Sequence, residues 1–228
     1  MSRSVRARRE SVESLLRTVR AQANVFEGFG SSVEAILLKN PEVSDVVHSA
    51  KRRAKSDASL AKKIEMKRAE GCQITSDNIF KEITDIYAVR LIHLYPQDIS
   101  VIHRAIEHHA QAKDWVFAEK PKAYTWDPES KDFLQGLGLK CSIKPSYYTS
   151  VHYLLRPRKD AVATCELQVR SLLEEVWGEA DHKAKYKKGI QDPRVDEHLA
   201  VLARLVGAGS RLMSALRVDG KPGSESTF

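Results

Sequence analysis

The chain has none of the glycine-rich loops that grip phosphate or sharpen a nucleophile: no GxxxxGK[ST], no GxGxxG and no GxSxG. If it binds nucleotides, it does so with scattered basic residues. Cysteine is scarce, with Cys72, Cys141 and Cys165 far apart and odd in number. They read as small packing residues in a reducing compartment. No His/Cys cluster has the spacing of a zinc site. No apolar run approaches the roughly 20 residues of a membrane span. The N-terminus, MSRSVRARRE, is basic but lacks the apolar stretch of a secretory signal. No internal repeat is visible. The expectation is a cytoplasmic protein with no membrane partner.

What is present is a basic chain with enough apolar residues for a core. The 228 residues are 42% hydrophobic and carry a net charge of +7. That length fits one large domain, or a domain with helical extensions. The charge favours anionic partners such as nucleotides, nucleic acid or acidic lipid, though a merely soluble basic protein has the same balance. Helical spacing runs from Glu10 to about Leu38, interrupted at Glu27–Ser32 and broken at Asn40-Pro41. A second, long helix is predicted from Ser44 to Ala69, ending at Gly71, and a short turn at Ile79–Ile83. IYAVRLIHL (Ile86–Leu94) reads as a buried strand. A helix follows at Ile99–Ala110, then a short strand at Trp115–Glu119. Residues 120–141 are irregular, and long loops in compact domains are often functional. Strands at Ser150–Arg156 and Val162–Arg170 precede helices at Leu172–Lys187 and Pro193–Leu216. The fold class is α/β (α+β): a mixed sheet of about five strands flanked by helices. The division expected is a helical extension (1–42), a main domain (43–190), a helix packed on it (191–217) and a disordered tail (218–228).

Several groups of residues suggest chemistry. Arg52, Lys55, Ser59 and Lys63 would share one helix face, which could hold a polyphosphate or could be an ordinary solvated face. Asp85 stands at the mouth of the buried strand, placed to hold Mg²⁺ or to cap a turn. Arg90 sits inside that strand and must find a partner. Glu166, Gln168 and Arg170 alternate with Leu167 and Val169, so they share a strand face. Glu166 could bind metal or act as a base, or the face could be covered by a helix through hydrogen bonds. Tyr148, Ser150 and His152 likewise share a face, suited to stacking a base or to core packing. Trp177, Asp181, His182 and Tyr186 read best as a helix packing an aromatic side chain.

In this order the pieces resemble the synthetase domain of the RelA/SpoT family over roughly Val43–Lys187. The family's R-x-K-S-x-x-S-L-x-x-K matches Arg53, Lys55, Ser56, Ser59, Leu60 and Lys63. Its D-I-x-G-x-R matches Asp85, Ile86 and Arg90; its K-D-Y is similar to Lys122-Ala123-Tyr124. G-Y-R-S-L-H matches Tyr148, Ser150 and His152, and E-I-Q-I-R-T matches Glu166, Gln168 and Arg170. Trp177, His182, Tyr186 and Lys187 match the ending. The resemblance implies a nucleotidyltransferase-like fold and a monofunctional, Mg²⁺-dependent enzyme that moves the β,γ-pyrophosphate of ATP to the 3′-hydroxyl of GDP or GTP, making (p)ppGpp. Implied for ATP are Arg53 and Arg90 around the adenine and Lys55, Ser59 and Lys63 on the phosphates. Asp85 and Glu166 would hold the metal, with Glu166 also on the attacking hydroxyl. Tyr148, His152, Lys122, Gln168 and Arg170 would form the acceptor side. The departures are Ala88 for the family glycine, Ala123 for the aspartate, and Tyr147 and Thr149 for the glycine and arginine around Tyr148. Most fall on the acceptor side, so the 3′ end of tRNA or an adenine nucleotide are alternative acceptors, and a non-catalytic nucleotide- or RNA-binding module is the third reading. A homo-oligomer is also open, through the apolar stripes of the flanking helices.

Overall fold

A computed structural model describes residues 10–186 and 192–217. The expectations for the 218–228 tail and for Lys187 lie outside the described residues. The chain begins with α1 (Val12–Lys39), whose N-cap Ser11 accepts the Ser14 N–H at 3.1 Å. Leu15, Leu16, Val19, Phe26, Val33 and Leu37 form its buried stripe. The predicted interruption at Glu27–Ser32 is absent. Gly30 is there for packing: a Cβ at that position would lie 2.4 Å from the Tyr87 ring. Asn40 then ends α1 and caps α2 (Pro41–Val46), accepting the Glu42 N–H at 3.0 Å.

The long helix predicted over Ser44–Ala69 does not exist. The segment forms an edge strand, β1 (Val47–Ala54), followed by α3 (Asp57–Ala69), which is capped by Ser56. So Arg52 and Lys55 do not share a helix face with Ser59 and Lys63. An edge strand with one partner and a wet outer face carries charge, not alternation. Next come α4 (Ile79–Glu82), β2 (Tyr87–His93), a 3-10 turn at Pro96–Asp98 and α5 (Ile99–Gln111). Residues 120–141 are more regular than predicted. After β3 (Val116–Phe117) they contain β4 (Lys122–Thr125), α6 (Pro128–Gly136) and β5 (Lys140–Ile143). Asp127 caps α6, accepting the Ser130 N–H at 3.0 Å. The chain closes with β6 (Ser150–Arg156), β7 (Cys165–Ser171), α7 (Leu172–Tyr186) and α8 (Pro193–Leu216).

The sheet is mixed and seven-stranded, two more than the sequence suggested, in the order β1-β2-β7-β6-β4-β5 with β3 on β6. The β2–β7 and β4–β5 pairs are parallel; β1–β2, β6–β7, β4–β6 and β3–β6 are antiparallel. Val89, Leu91, Leu167, Val169, Val151 and Tyr153 point to one face and join α1 and α5 in the core. The alternate residues point to the other face. α7 packs across β7 and β2, and α8 packs on α7 through Leu199, Ala203 and Val206. An 18-residue window of α8 has a mean hydropathy of 1.4, so by length and composition alone this helix could cross a membrane, which the sequence reading overlooked.

Candidate active site: an acidic pair in a basic cleft

The pleat decides which side chains meet. Across β1 and β2, Lys51 faces Arg90 and Arg53 faces Ala88. Across β2 and β7, Ala88 faces Glu166 and Arg90 faces Gln168. Gln168 in turn lies opposite His152 on β6. One sheet face thus carries Lys51, Arg53, Arg90, Glu166, Gln168, Arg170 and His152. With Lys55, Asp85 and Tyr148, and with α7 as the far wall, most of these enclose a cleft of about 520 Å³. That is room for a nucleotide-sized ligand.

On the β1 side, Asp85 is gripped by two ammonium groups. Lys55 Nζ lies 2.6 Å from Oδ2 and Lys63 Nζ 2.7 Å from Oδ1. Burial alone would raise the Asp85 carboxyl, but the two lysines outweigh it and hold it below the usual carboxylate range. Both carboxylate oxygens are thus taken up by ammonium groups, Oδ2 by Lys55 and Oδ1 by Lys63. Lys55 is therefore brought to the cleft as expected, and Lys63 reaches it through Asp85. Ser59 is not brought in: its N–H and hydroxyl are taken up by the Ser56 cap at 3.3 and 3.0 Å. Arg53 lines the cleft and is exposed.

On the β7 side, hydrogen bonds run in a chain. Glu166 Oε1 meets His152 Nδ1 at 3.1 Å, and Oε2 accepts from Gln168 Nε2 at 2.9 Å. His152 Nε2 meets the Tyr148 hydroxyl at 2.9 Å. A carboxylate can only accept, so Nδ1 carries the proton; in the neutral imidazole Nε2 then accepts from the phenol. Burial pushes the Glu166 carboxyl up, but His152 and Gln168 pull it below its ordinary value overall, against the nearby charge of Asp85. Gln168 Oε1 also accepts from Arg90 Nε at 3.2 Å. Lys122 sits opposite His152 in the sheet but turns to Glu119 at 2.5 Å, so the structure does not bring it to the cleft. Tyr124, the tyrosine of the K-D-Y-like element, packs its ring edge-on to His152 at 5.1 Å.

Sequence reasoning missed the residue that organises the cations. The Glu175 side chain, 5% exposed, pairs with Lys51 at 2.8 Å, Arg90 at 2.9 Å and Arg170 at 2.6 Å. This answers the demand for an Arg90 partner. Burial would raise Glu175, and the three cations bring it below its ordinary value. Gly178, one helical turn on, makes room for Arg170: a Cβ there would lie 2.7 Å from the guanidinium. No motif pointed to Glu175, though a glutamate one turn before a glycine facing a buried arginine is a usable signal. Glu179, Asp181 and His182 line the cleft too. Trp177 does not; it packs on Ala203 and Val206 and donates to the Leu199 carbonyl at 2.9 Å, as the packing reading had it.

The comparisons with known proteins follow the same lines. A family profile described as a region found in RelA/SpoT proteins matches residues 52–191, more than half of the chain. The chain belongs to the RelA/SpoT family. It is 25% identical over 153 residues to the GTP pyrophosphokinase YwaC of Bacillus subtilis, a match covering 65% of this chain and 62% of that protein. The fold is that of small alarmone synthetases. Small alarmone synthetase 1 of Bacillus subtilis, bound to its product pppGpp, superposes with a TM-score of 0.63 at 19% identity, over 90% of this chain and 96% of that one. A GTP pyrophosphokinase family protein from Streptococcus pneumoniae gives 0.63 at 17%, over 91% and 94%.

Proposed function

We propose that this RelA/SpoT-family chain is a pyrophosphotransferase that moves the β,γ-pyrophosphate of ATP to the 3′-hydroxyl of GDP or GTP, making (p)ppGpp. One observation carries the reading: Asp85 and Glu166 face a single cleft together with Lys51, Arg53, Lys55 and Arg90, with Glu179 and Asp181 on its α7 wall. A module that only bound nucleotides would gain nothing from two carboxylates beside polyphosphate. The acceptor oxygen attacks the β-phosphorus, the α,β-bridging bond breaks, AMP leaves with the electron pair, and the hydroxyl proton passes to solvent water. Little covalent work falls to the protein, so alignment and charge neutralisation carry the rate.

The residues have distinct tasks in this reading. Lys55 and Lys63 exchange Asp85 for the ATP phosphates, and Arg53 and Arg90 flank the adenine. Tyr148 stacks on the acceptor base. Glu166, with its depressed carboxyl, is a weak base at neutral pH. It serves best by accepting a hydrogen bond from the attacking hydroxyl and orienting it, with His152 and Gln168 fixing its two oxygens. The carboxylates of Asp85 and Glu166 fit Mg²⁺, which takes one or two carboxylates and keeps waters and substrate phosphates as its other ligands. To take such an ion, Asp85 would first release Lys55 or Lys63 to the ATP phosphates. When bound, the metal would neutralise developing phosphate charge.

The test is ATP labelled in its γ-phosphate, offered with Mg²⁺ to GMP, GDP, GTP, ATP and bulk tRNA in parallel. Label on GDP or GTP with release of AMP supports the reading. Label on tRNA or an adenine nucleotide alone transfers the chemistry to another acceptor. Tight ATP binding with no label anywhere leaves a binding module. ATP and GTP as substrates support the expectation of a cytoplasmic protein. A homo-oligomer through α8 is part of the proposal. Val201, Leu205, Leu212 and Leu216 fall on one helix face, each more than half exposed, away from the face packed on α7. Light scattering on Leu205→Lys should show a smaller species than the parent chain; an unchanged mass removes this part.

A further inference from the structure

Tyr147 and Tyr148 are neighbours in sequence, but their side chains part. Tyr148 lines the cleft, whereas Tyr147 lines a separate cavity among α6, α8 and the Pro96–Asp98 turn. The backbone between them is not extended. Tyr147 has φ 63°, in the left-handed region where a side chain crowds its own backbone. Glycine would take that conformation freely, and glycine is what the family motif has at this position. A tyrosine there persists only where its surroundings hold it.

What holds it can be followed to α8. The Tyr147 ring meets Trp126 edge-on at 5.3 Å, and its N–H donates to the Lys144 carbonyl at 3.1 Å. Trp126 and both tyrosines pack against the small cluster of Trp177, Ala203 and Val206 between α7 and α8. Trp126 is itself fixed from α8. A Cβ on Gly207 would lie 3.2 Å from its Cζ2, and the next residue, Asp127, pairs with Arg211 at 2.8 Å. On the other side of Tyr148, the Thr149 hydroxyl meets that of Thr125, the residue before Trp126, at 3.2 Å. Tyr148 is thus carried on a short segment fastened at both ends to residues 125–126. Tyr147 does not line the cleft, so any effect it has on the reaction passes through Tyr148.

We infer that Tyr147 is a positioning residue: braced on Trp126 and α8, it holds the strained backbone that aims the Tyr148 ring into the acceptor side of the cleft. The seating of α8 thereby sets how well the acceptor is held. The ATP side, carried by β1, β2 and α3, is independent of it. That Tyr148 holds the acceptor rests on the pyrophosphotransferase reading; the brace itself does not.

The test compares Tyr147→Gly, Tyr147→Phe and Gly207→Leu, with GDP and ATP titrated separately by calorimetry against the full chain. Tyr147→Gly relieves the backbone and removes the brace, and Tyr147→Phe keeps the ring. Gly207→Leu leaves both tyrosines intact and displaces Trp126 from α8, in a helix that leucine favours. Tyr147→Gly and Gly207→Leu should each weaken GDP about ten-fold, the scale of losing one base-stacking ring. ATP should stay within about two-fold, and Tyr147→Phe should match the parent for both. Hydrogen exchange over residues 146–150 should be faster in Tyr147→Gly and Gly207→Leu and unchanged in Tyr147→Phe. Unchanged GDP binding or parent-like exchange in Tyr147→Gly overturns this role, as does ATP weakened as much as GDP. Tyr147→Phe behaving like Tyr147→Gly overturns it too. An effect of Tyr147→Gly without one of Gly207→Leu removes α8 from the brace. A parent chain that binds ATP but no GDP removes the acceptor reading instead, and the exchange result alone then decides for or against the brace.

Discussion

The two sides of the cleft are built on opposite principles. On the β1–α3 side, Lys55 and Lys63 share Asp85, with side chains 19%, 34% and 22% exposed. These are flexible cations parked on one carboxylate, and water or phosphate can replace it at little cost. On the β6–β7 side, Tyr148, His152, Glu166, Gln168 and Arg90 form one continuous hydrogen-bonded chain. Behind it Arg170 and Glu175, at 4% and 5% exposure, lock the geometry. The difference teaches a division of labour: one wall is made to exchange partners, the other to stay as it is while charge moves.

The strongest way to break that comparison is Glu166→Gln. Glutamine keeps an oxygen for the His152 N–H, so that link survives; its NH2 faces the Gln168 Nε2 donor, so the Gln168 link is lost together with the charge. Activity should fall about 1,000-fold, the scale for losing one preorganised charge at a reacting centre. Thermal unfolding should move by no more than a few degrees. Turnover within ten-fold of the parent would show that Glu166 only holds the wall together.

Glu175→Ala should have the next largest effect, this time on stability. It leaves Lys51, Arg90 and Arg170 clustered without their shared counter-charge. Removing one partner of a buried ion pair costs about 3–5 kcal/mol, readable in urea unfolding. Asp85→Asn should cost much less, because Lys55 and Lys63 can turn to water. If Asp85→Asn proves the more destabilising of the two, the division into an exchangeable and a fixed wall is wrong.

The fixed wall was also the legible one. β7 announced itself because Glu166, Gln168 and Arg170 alternate with Leu167 and Val169, and a strand with one face in the core and the other on the cleft keeps that signal. β1 did not. VHSAKRRA pairs on one edge only and is exposed along most of its length, so no apolar alternation marks it, and its charges continue into α3 with helical spacing. Strands β4 and β5, four residues each, are too short to show a period. Glu175 stayed hidden for another reason. Its partners Lys51 and Arg90 are 124 and 85 residues away, and only the sheet order brings them together.

A pH series sharpens the same contrast through a buried group near neither lysine. His93 is 3% exposed, and burial lowers it from its ordinary 6.5 to about 4, against the hydrogen bond to the Tyr95 carbonyl. Its folded form therefore stays neutral where the unfolded chain takes a proton. Stability from this group is full above pH 6.5 and declines as pH falls from there to about 4, by up to about 3 kcal/mol. The depressed carboxylates Asp85, Glu166 and Glu175 act in a lower window: their contribution is present above the ordinary carboxylate range and is lost as pH falls through their lowered values. His93→Asn should flatten the upper window and leave the lower one. An unchanged slope between pH 6.5 and 4.5 would assign that loss to other groups.

The smallest effect expected is that of Tyr148→Phe, and it separates two jobs of one ring. Phenylalanine keeps the face for stacking and the contact with Arg170, whose guanidinium lies 5.9 Å over the ring. It removes the hydroxyl that donates to His152 Nε2. With that donor gone, His152 can turn, and Glu166 loses part of its orientation though none of its charge. One hydrogen bond is worth about 1 kcal/mol, so kcat should fall about five-fold with the KM for the acceptor unchanged. Tyr148→Ala should instead raise that KM. If Tyr148→Phe raises KM and spares kcat, the hydroxyl belongs to base recognition, and the hydrogen-bonded wall ends at His152.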